Sequence, residues 1–498
     1  MTSGGLTDFL IGHPAARDTP VLYGVDVERT LGELTASARI LAGRLGPVTG
    51  QPVVCVVDDG VRAVTAMFAT WLAGGVYVPV NGRLTAREVA AHVAASRPAV
   101  VVAGPDTRVP EGYDVLREDE PDVWTCACAP DRDEPASYGP EAAIVIRTSG
   151  TTGESKPVVL GHDGVRDGID TVLGKLRGGR SAGRAPMPNL IPSSQALWAG
   201  AWNLLFAFRA GAPAILMDRF DPVAYAGLVR RFQIRSTILA PAMMAMLLEH
   251  EDVADLAPLK LVRSVTAPLA PDQARRFRDR YGVDVLNSYG QTELGSEVAG
   301  WTAADVREFG AAKLGAVGRA HPGIDIRIAG DDGAALAPDA SGEIWIRSPF
   351  ATGDAAGRVD AEGYLRTGDL GRLDADGFLW IEGRVSDMVN RGGLKIVPQE
   401  VEEVLRGHPD VADACVAGVP DERLGEVPVA WVRPKAGRTL DEADLAACSR
   451  RELAGYKVPV AFRVVADFPR TEIGKVLRRD LVADFVRTAA EPSDAQVP

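Results

Sequence analysis

No apolar run in this 498-residue chain is long enough to cross a bilayer. The two longest uncharged apolar segments, Ala196 to Phe208 and Thr237 to Leu248, fall short of the roughly 20 residues that a spanning helix needs, and both are expected to be buried helices. Cysteine is scarce. The five present are scattered apart from Cys126-x-Cys128, which excludes a disulfide-stapled secreted scaffold and points to a reducing cytoplasm. That close pair has no second half, so two ordinary thiols are expected there rather than a metal site. A basic excess is missing as well: the net charge of -13 argues against nucleic acid or an anionic membrane as the main partner. Met1-Thr-Ser-Gly-Gly lacks the basic stretch and apolar core of a signal peptide, so a soluble cytoplasmic protein is expected. Internal repeats and low-complexity tracts are also absent.

The chain does contain an alternation of strand-like and helix-like segments. Val53–Val57, Ala99–Val102, Ile144–Ile146, Ala214–Leu216 and Thr237–Leu239 are short β-branched runs, and Val61–Ala73 and Arg87–Ala95 carry helical spacing. This pattern predicts an α/β fold whose large N-terminal domain has layered, mostly parallel β-sheets with flanking helices. From Gly323 the texture shifts to shorter strands and tight turns at Asp331-Asp-Gly333, Glu362-Gly363 and Asp376-Gly377, a β-rich subdomain. Asp374 to Gly377 has the look of a calcium loop but lacks the twelfth-position glutamate, where Val385 stands, so a hairpin turn is expected. A boundary near Gly383-Arg-Val-Ser386 divides the chain into domains 1–385 and 386–498. The second is a small α+β unit, with helices at Pro398–Gly407 and Asp441–Leu453 and strands at Ala414–Val419, Val427–Val432 and Ala461–Val465. The tail from Val482 onward is expected to fray.

The most informative stretch is Arg147-Thr-Ser-Gly-Thr-Thr-Gly-Glu-Ser-Lys156, which follows the apolar run Ala142–Ile146. Glycines let backbone N–H groups line an anion-binding concavity, and hydroxyls and a lysine add donors and positive charge. It is not a Walker A loop, because Gly-x-x-x-x-Gly-Lys-Ser/Thr is absent and Pro157–Leu160 reads as a second strand. A polar turn of the same composition is the alternative reading of this loop taken alone. A second cluster, Asn287-Ser-Tyr-Gly-Gln-Thr-Glu293, follows the apolar strand Val283–Leu286. There a ring can stack on a nucleobase, a hydroxyl can donate to a phosphate, and the Glu293 carboxylate suits Mg²⁺. Arg366-Thr-Gly-Asp369, Gly383-Arg384 and Pro469-Arg-Thr-Glu-Ile-Gly-Lys475 come next in order.

These five motifs, spread over about Leu22 to Leu481, resemble those of the adenylate-forming superfamily of acyl- and aryl-CoA synthetases, peptide-synthetase adenylation domains and luciferases. The resemblance implies an ATP-dependent ligase. A carboxylate attacks the α-phosphorus of ATP to give an adenylate and pyrophosphate, and a thiol, that of CoA or a carrier's phosphopantetheine, then displaces AMP. By the same resemblance, Thr148, Ser149, Gly150, Thr151, Thr152, Gly153 and Lys156 cradle the β- and γ-phosphates, Tyr289 lies against adenine, Thr292 contacts the α-phosphate and Glu293 binds Mg²⁺. Asp369 takes the ribose hydroxyls, with Arg384 close by. Lys475 is carried on a small mobile C-terminal lid domain and bridges carboxylate and α-phosphate. After adenylation that domain presents a second face, which includes Gly392-Gly-Leu-Lys395, to the thiol. The implied partners are a small-molecule acid, CoA or an acyl carrier protein, and neither nucleic acid nor membrane. No carrier segment follows the last motif, which fits a stand-alone enzyme.

Several positions depart from the family pattern. The phosphate loop ends Gly153-Glu-Ser-Lys-Pro157, and proline at 157 removes one amide donor. The usual Asp or Lys hinge is Ser386, and Thr266 stands where glycine is common beside the acyl pocket. Asn189–Trp198 has no histidine where many relatives carry one; ungapped counting puts Ala196 there, and a one-residue shift puts Gln195. Trp198 and Trp202, four apart, read as pocket lining or as core, with core favoured. No aspartate lies in Leu190–Ala201 to hold an α-amino group, so an aryl or short acyl acid is expected over an amino acid. Two other readings stay open: activation of a different acid, such as nitrite in the diazotisation of an aryl amine, and a non-catalytic nucleotide-binding protein.

Overall fold

Apolar runs with both faces buried need a sheet covered on both sides, and four such strands build the centre of the largest sheet. In the computed structural model, which describes residues 5–129, 134–149, 155–177, 186–267, 269–310, 312–352, 357–470 and 476–490, this sheet has seven strands. Their spatial order is Val123–Ala127, Val115–Glu120, Val100–Ala103, Pro52–Val57, Val76–Asn81, Ala142–Ser149 and Ser155–Gly161. The inner five pair in parallel, while the first and last strands pair antiparallel with their neighbours. The helix Gly60–Leu72 is apolar nearly all round, and Asp59 caps it by accepting from the Arg62 amide. Ala86–Ser96 starts in a capping box between Thr85 and Glu88.

A second sheet orders Asn189–Ile191, Ala214–Leu216, Pro20–Tyr23 and Glu28–Thr30, the first three parallel. A third holds Ser236–Leu239, Leu261–Ser264 and Asp284–Asn287, all parallel. A short antiparallel sheet of Tyr289–Gly290, Glu297–Gly300 and Arg319–Ala320 continues from it. These sheets belong to one compact unit, residues 1–325 with 347–365.

The other unit comprises residues 326–346 and 366–498. One of its sheets orders Asp325–Ala329, Gly342–Arg347, Leu365–Leu373 and Leu379–Arg384. The other pairs Leu394–Ile396 with Val389–Arg391, then Gly425–Pro434 between Val411–Asp421 and the parallel strand Ala461–Val464. Helix Pro398–Arg406 packs Val401 and Leu405 into that sheet's core. The α/β class is as expected, with a large sheet-layered N-terminal region and a smaller α+β region after it.

Two expectations are corrected. Thr237–Leu248 is not one helix: it divides into the strand Ser236–Leu239 and the helix Pro241–Glu249. Pro241 has no N–H to give a preceding turn and is pre-set for the first helical position, so the helix starts there and the β-branched pair before it joins the sheet. The tail does not fray from Val482, because helix Arg478–Ala490 buries Leu481 and sets Phe485 edge-on to Trp431 at 6.0 Å. Ala196–Phe208 is helical from Trp198. Trp202 on it lies in the core, stacked 5.2 Å from Phe206. Among the described residues, no helix is long and apolar enough to cross a membrane.

Candidate active site

In α/β sheets, ligand crevices open at the carboxyl ends of parallel strands, where loops are free to vary. The strand Ala142–Ser149 ends at such an edge, parallel to Val76–Asn81, and pairs back with Ser155–Gly161 so that Thr148 faces Lys156 and Ser149 faces Ser155. Gly150, Thr151, Thr152 and Gly153 lie outside the described residues, and of Thr148, Ser149 and Lys156 only the strand positions are described. Lys475 also lies outside them.

The second cluster follows the third strand of the 236–287 sheet. The Ser288 amide extends the parallel ladder by one bond to Ser264 O at 3.2 Å, and the chain then turns out through Tyr289–Gly290. Thr292–Leu294 forms a single 3₁₀ turn that puts Thr292 and Glu293 at its start. Gly295 closes the turn at φ +71, where a Cβ would sit 2.6 Å from Phe350 O, so only glycine fits. Tyr289 is 9% exposed, and its hydroxyl accepts from Gln291 Nε2 at 3.3 Å. Glu293 Oε1 accepts from Arg358 Nη2 at 3.0 Å, and its backbone carbonyl accepts from the Thr352 amide at 2.9 Å. Arg358 was not singled out in the sequence. It stands alone in an irregular segment, and its charge was the only signal it gave.

In the other unit, the hairpin of Leu365–Leu373 and Leu379–Arg384 sets Asp369 directly opposite Arg384. Arg384 Nε donates to Asp369 Oδ1 at 2.8 Å; the carboxylate is buried and the guanidinium remains partly exposed. The Asp369 amide donates to Thr367 Oγ1 at 3.1 Å, and that hydroxyl donates to Ile344 O at 2.7 Å, which fixes the strand under the carboxylate. The expected hairpin turn is present: the Asp374 carboxylate accepts from the Asp376 and Phe378 amides and from Trp380 Nε1. Lys395, on the strand after the Gly392-Gly393 turn, lies 3.3 Å from Asp331. Tyr289, Thr292 and Glu293 therefore share one loop, and Asp369 pairs with Arg384.

Magnesium is ordinarily held by one or two carboxylates together with nucleotide phosphates and water. Glu293 fits that donor set as a single protein ligand, and among the described residues no three His, Cys, Asp or Glu side chains converge as a closed metal site. Cys126 and Cys128 are exposed free thiols, with their Sγ atoms 3.2 Å apart.

The segment without histidine also has a defined place. Gln195 is 5% exposed and lines a cavity of about 110 Å³ with Asn81, Arg83, Asp58, Asp59 and Asp218. Among the described residues, neither Gln195 Nε2 nor Asn81 Nδ2 finds a hydrogen-bond partner. Burial raises the Asp218 carboxyl above its ordinary range, against the pull of the Gly60 amide that donates to it at 2.9 Å. Ala196 packs on the core instead.

The sequence profile of the AMP-binding enzyme family matches residues 14–353, and that of the AMP-binding enzyme C-terminal domain matches residues 400–475. The chain belongs to the AMP-binding enzyme family. An indoleacetate–CoA ligase of Aromatoleum aromaticum is 31% identical over 83% of this chain and 84% of its own length. A feruloyl-CoA synthase of Amycolatopsis is 30% identical over 92% of this chain and 94% of its own. Among solved structures, an amide bond synthetase from Marinactinospora thermotolerans superposes with a TM-score of 0.81 at 27% identity, covering 97% of this chain and 100% of that one. This AMP-binding enzyme is thus an AMP-forming ligase that activates an acid with ATP.

Proposed function

We propose that this chain is an aryl- or acyl-CoA ligase: it joins a carboxylic acid to ATP as the adenylate and passes the acyl group to the thiol of CoA. The observation that carries the reading is the presentation of Tyr289, Thr292 and Glu293 on one loop at the carboxyl end of a parallel sheet. Two relatives whose names carry indoleacetate and ferulate support an aryl acid, and both are CoA enzymes by name. In this reading Tyr289 stacks on the adenine, Thr292 donates to the α-phosphate, and the hydroxyls and Lys156 of the 147–156 loop hold the departing pyrophosphate. Glu293 holds Mg²⁺, which when bound screens the phosphate charge that repels the incoming carboxylate. The Asp369 carboxylate, held by Arg384, accepts from the ribose hydroxyls. Lys475 spans the attacking carboxylate and the α-phosphate, and its charge offsets the anion that builds up in the transition state. The 386–498 segment reorients about Ser386 between the two half-reactions.

ATP–pyrophosphate exchange across aryl, fatty, amino and short-chain acids tests this, with Lys475→Ala as control. Exchange with one class of carboxylic acid, lost in the variant, supports adenylation. Exchange with nitrite alone gives diazotisation chemistry instead, and no exchange with any acid leaves a nucleotide-binding protein.

A second reading keeps the adenylate and changes the acceptor to an amine. It is favoured by the likeness to an amide bond synthetase. Product analysis with CoA and with a panel of amines separates thioester from amide.

A further inference from the structure

A cluster of buried charge lies next to the 289–293 loop and is not used in the reaction above. Arg263, on the strand Leu261–Ser264, pairs through Nη2 with Glu297 Oε2. The other oxygen, Oε1, is 2.9 Å from His321 Nε2. Burial, with Lys175 and Arg263 adding to it, holds the His321 pKa down to about 3. The ring is therefore neutral, and Nε2 carries the hydrogen donated to Glu297. Lys175, on the helix His162–Arg177, donates through Nζ to Gly300 O at 2.9 Å and Arg319 O at 3.2 Å. His321 is 4% exposed, and Arg263 and Glu297 are largely shielded from solvent.

The placement of these groups along the chain gives them a role. The nucleotide loop is entered from the strand Asp284–Asn287, in which Leu286 lies opposite Arg263 and Asn287 opposite Ser264. It is left at Glu297, the first residue of the strand Glu297–Gly300. The Arg263–Glu297 pair thus ties the exit of the loop to the strand beside its entrance. Lys175 pins the far end of the same exit strand to the helix that follows the phosphate-loop hairpin.

We propose that Glu297, clamped between Arg263 and His321, is a positioning residue that holds Tyr289, Thr292 and Glu293 ready for the nucleotide. This rests on the reading that the 289–293 loop binds magnesium ATP. A loop fixed in advance does not have to be ordered when ligand arrives, so loss of the clamp weakens nucleotide affinity and leaves acid binding unaffected. Glu297→Gln keeps the shape and an acceptor for His321 but removes the charge that neutralises a buried guanidinium.

The experiment is calorimetric titration of the full-length protein with ATP and Mg²⁺, alongside acid KM values in pyrophosphate exchange. Glu297→Gln is expected to weaken ATP binding about tenfold, to leave the KM of the acid within about twofold of wild type, and to be partly rescued by Glu297→Asp. Glu293→Gln serves as the control on the parent reading. If Glu293→Gln leaves magnesium ATP binding intact, that reading fails and the clamp with it. If Glu293→Gln is impaired while Glu297→Gln binds ATP like wild type, the clamp alone is overturned. Should Glu297→Gln not fold, the double variant Arg263→Leu/Glu297→Leu removes both charges at once, an exchange that buried pairs commonly tolerate. The same weakening is required of it, and wild-type affinity in the double variant overturns the proposal.

Discussion

Thr266 adopts φ 73, a left-handed conformation that a β-branched residue rarely takes. The backbone here has a shape that glycine adopts freely while carrying a side chain that opposes it. Strain of this kind costs roughly 1–2 kcal/mol for an L-residue, and it persists where surrounding structure over-determines it. Thr266→Gly relieves that strain but returns roughly 0.5–1 kcal/mol of glycine's extra chain entropy, so a net stabilisation of about 0.5–1 kcal/mol is expected. A urea unfolding midpoint that does not rise would show that the strain is absorbed elsewhere. The substitution also removes a side chain from the proposed acid pocket. kcat/KM for bulkier aryl acids is expected to rise about tenfold, the scale of one or two methylene-sized groups. An unchanged acid profile places Thr266 outside the pocket.

Between residue and fold, the elements show which parts of the sequence could be read and why. The 142–161 hairpin, the helix Gly60–Leu72 and the turn at Asp374 were legible because local composition decides them: apolar runs, a polar break and an aspartate closing a turn. The division of 237–248 turned on Pro241, a single residue inside an otherwise even apolar stretch. That Tyr289, Thr292 and Glu293 share one loop was legible because they stand within five residues of one another. Arg358 and Glu297 were not, since their roles come from partners 65 and 34 positions away along the chain. Lys175 belongs to the same class. Burial lowers its pKa to about 8 against the pull of Asp305, and Arg263 and Arg319 lower it further. The unfolded chain keeps the ordinary lysine value, so between about pH 8 and 10.5 the unfolded state holds a proton that the folded state has released. Stability from this group therefore rises with pH across that window, and the cost of the buried charge is fully present below it. Urea unfolding of the wild type and of Lys175→Met is expected to show the wild type gaining on the variant from pH 8 to pH 10. A difference that stays constant would mean that the ammonium at the end of the 162–177 helix is solvated.

At the scale of the whole chain, the proposed reaction would make opposite demands on the 386–498 segment in its two halves. In that reading one half calls for Lys475 at the α-phosphate, and the other for a face open to the thiol. The residues flanking Lys475 are anchored independently of it. Arg470 and Val476 pair as an antiparallel bridge, Arg470 Nη2 donates to Asp413 at 2.8 Å, and Arg478 Nη2 donates to Glu402 at 2.7 Å. Arg478 also reaches Asp387, which accepts from the Ser386 hydroxyl at 3.1 Å, so these anchors extend to the proposed pivot. Lys475→Ala removes an ammonium group and leaves every one of these contacts in place. Adenylation in that variant is expected to slow by roughly two to three orders of magnitude, the scale for losing one preorganised donor to a transition state. Thioester formation from a supplied adenylate is expected to stay within about tenfold of wild type, because that step calls on the other face of the segment. Measuring the two half-reactions separately tests the alternation itself. Equal loss in both would mean that one arrangement of the segment serves the whole reaction, and near-normal adenylation would remove Lys475 from the chemistry.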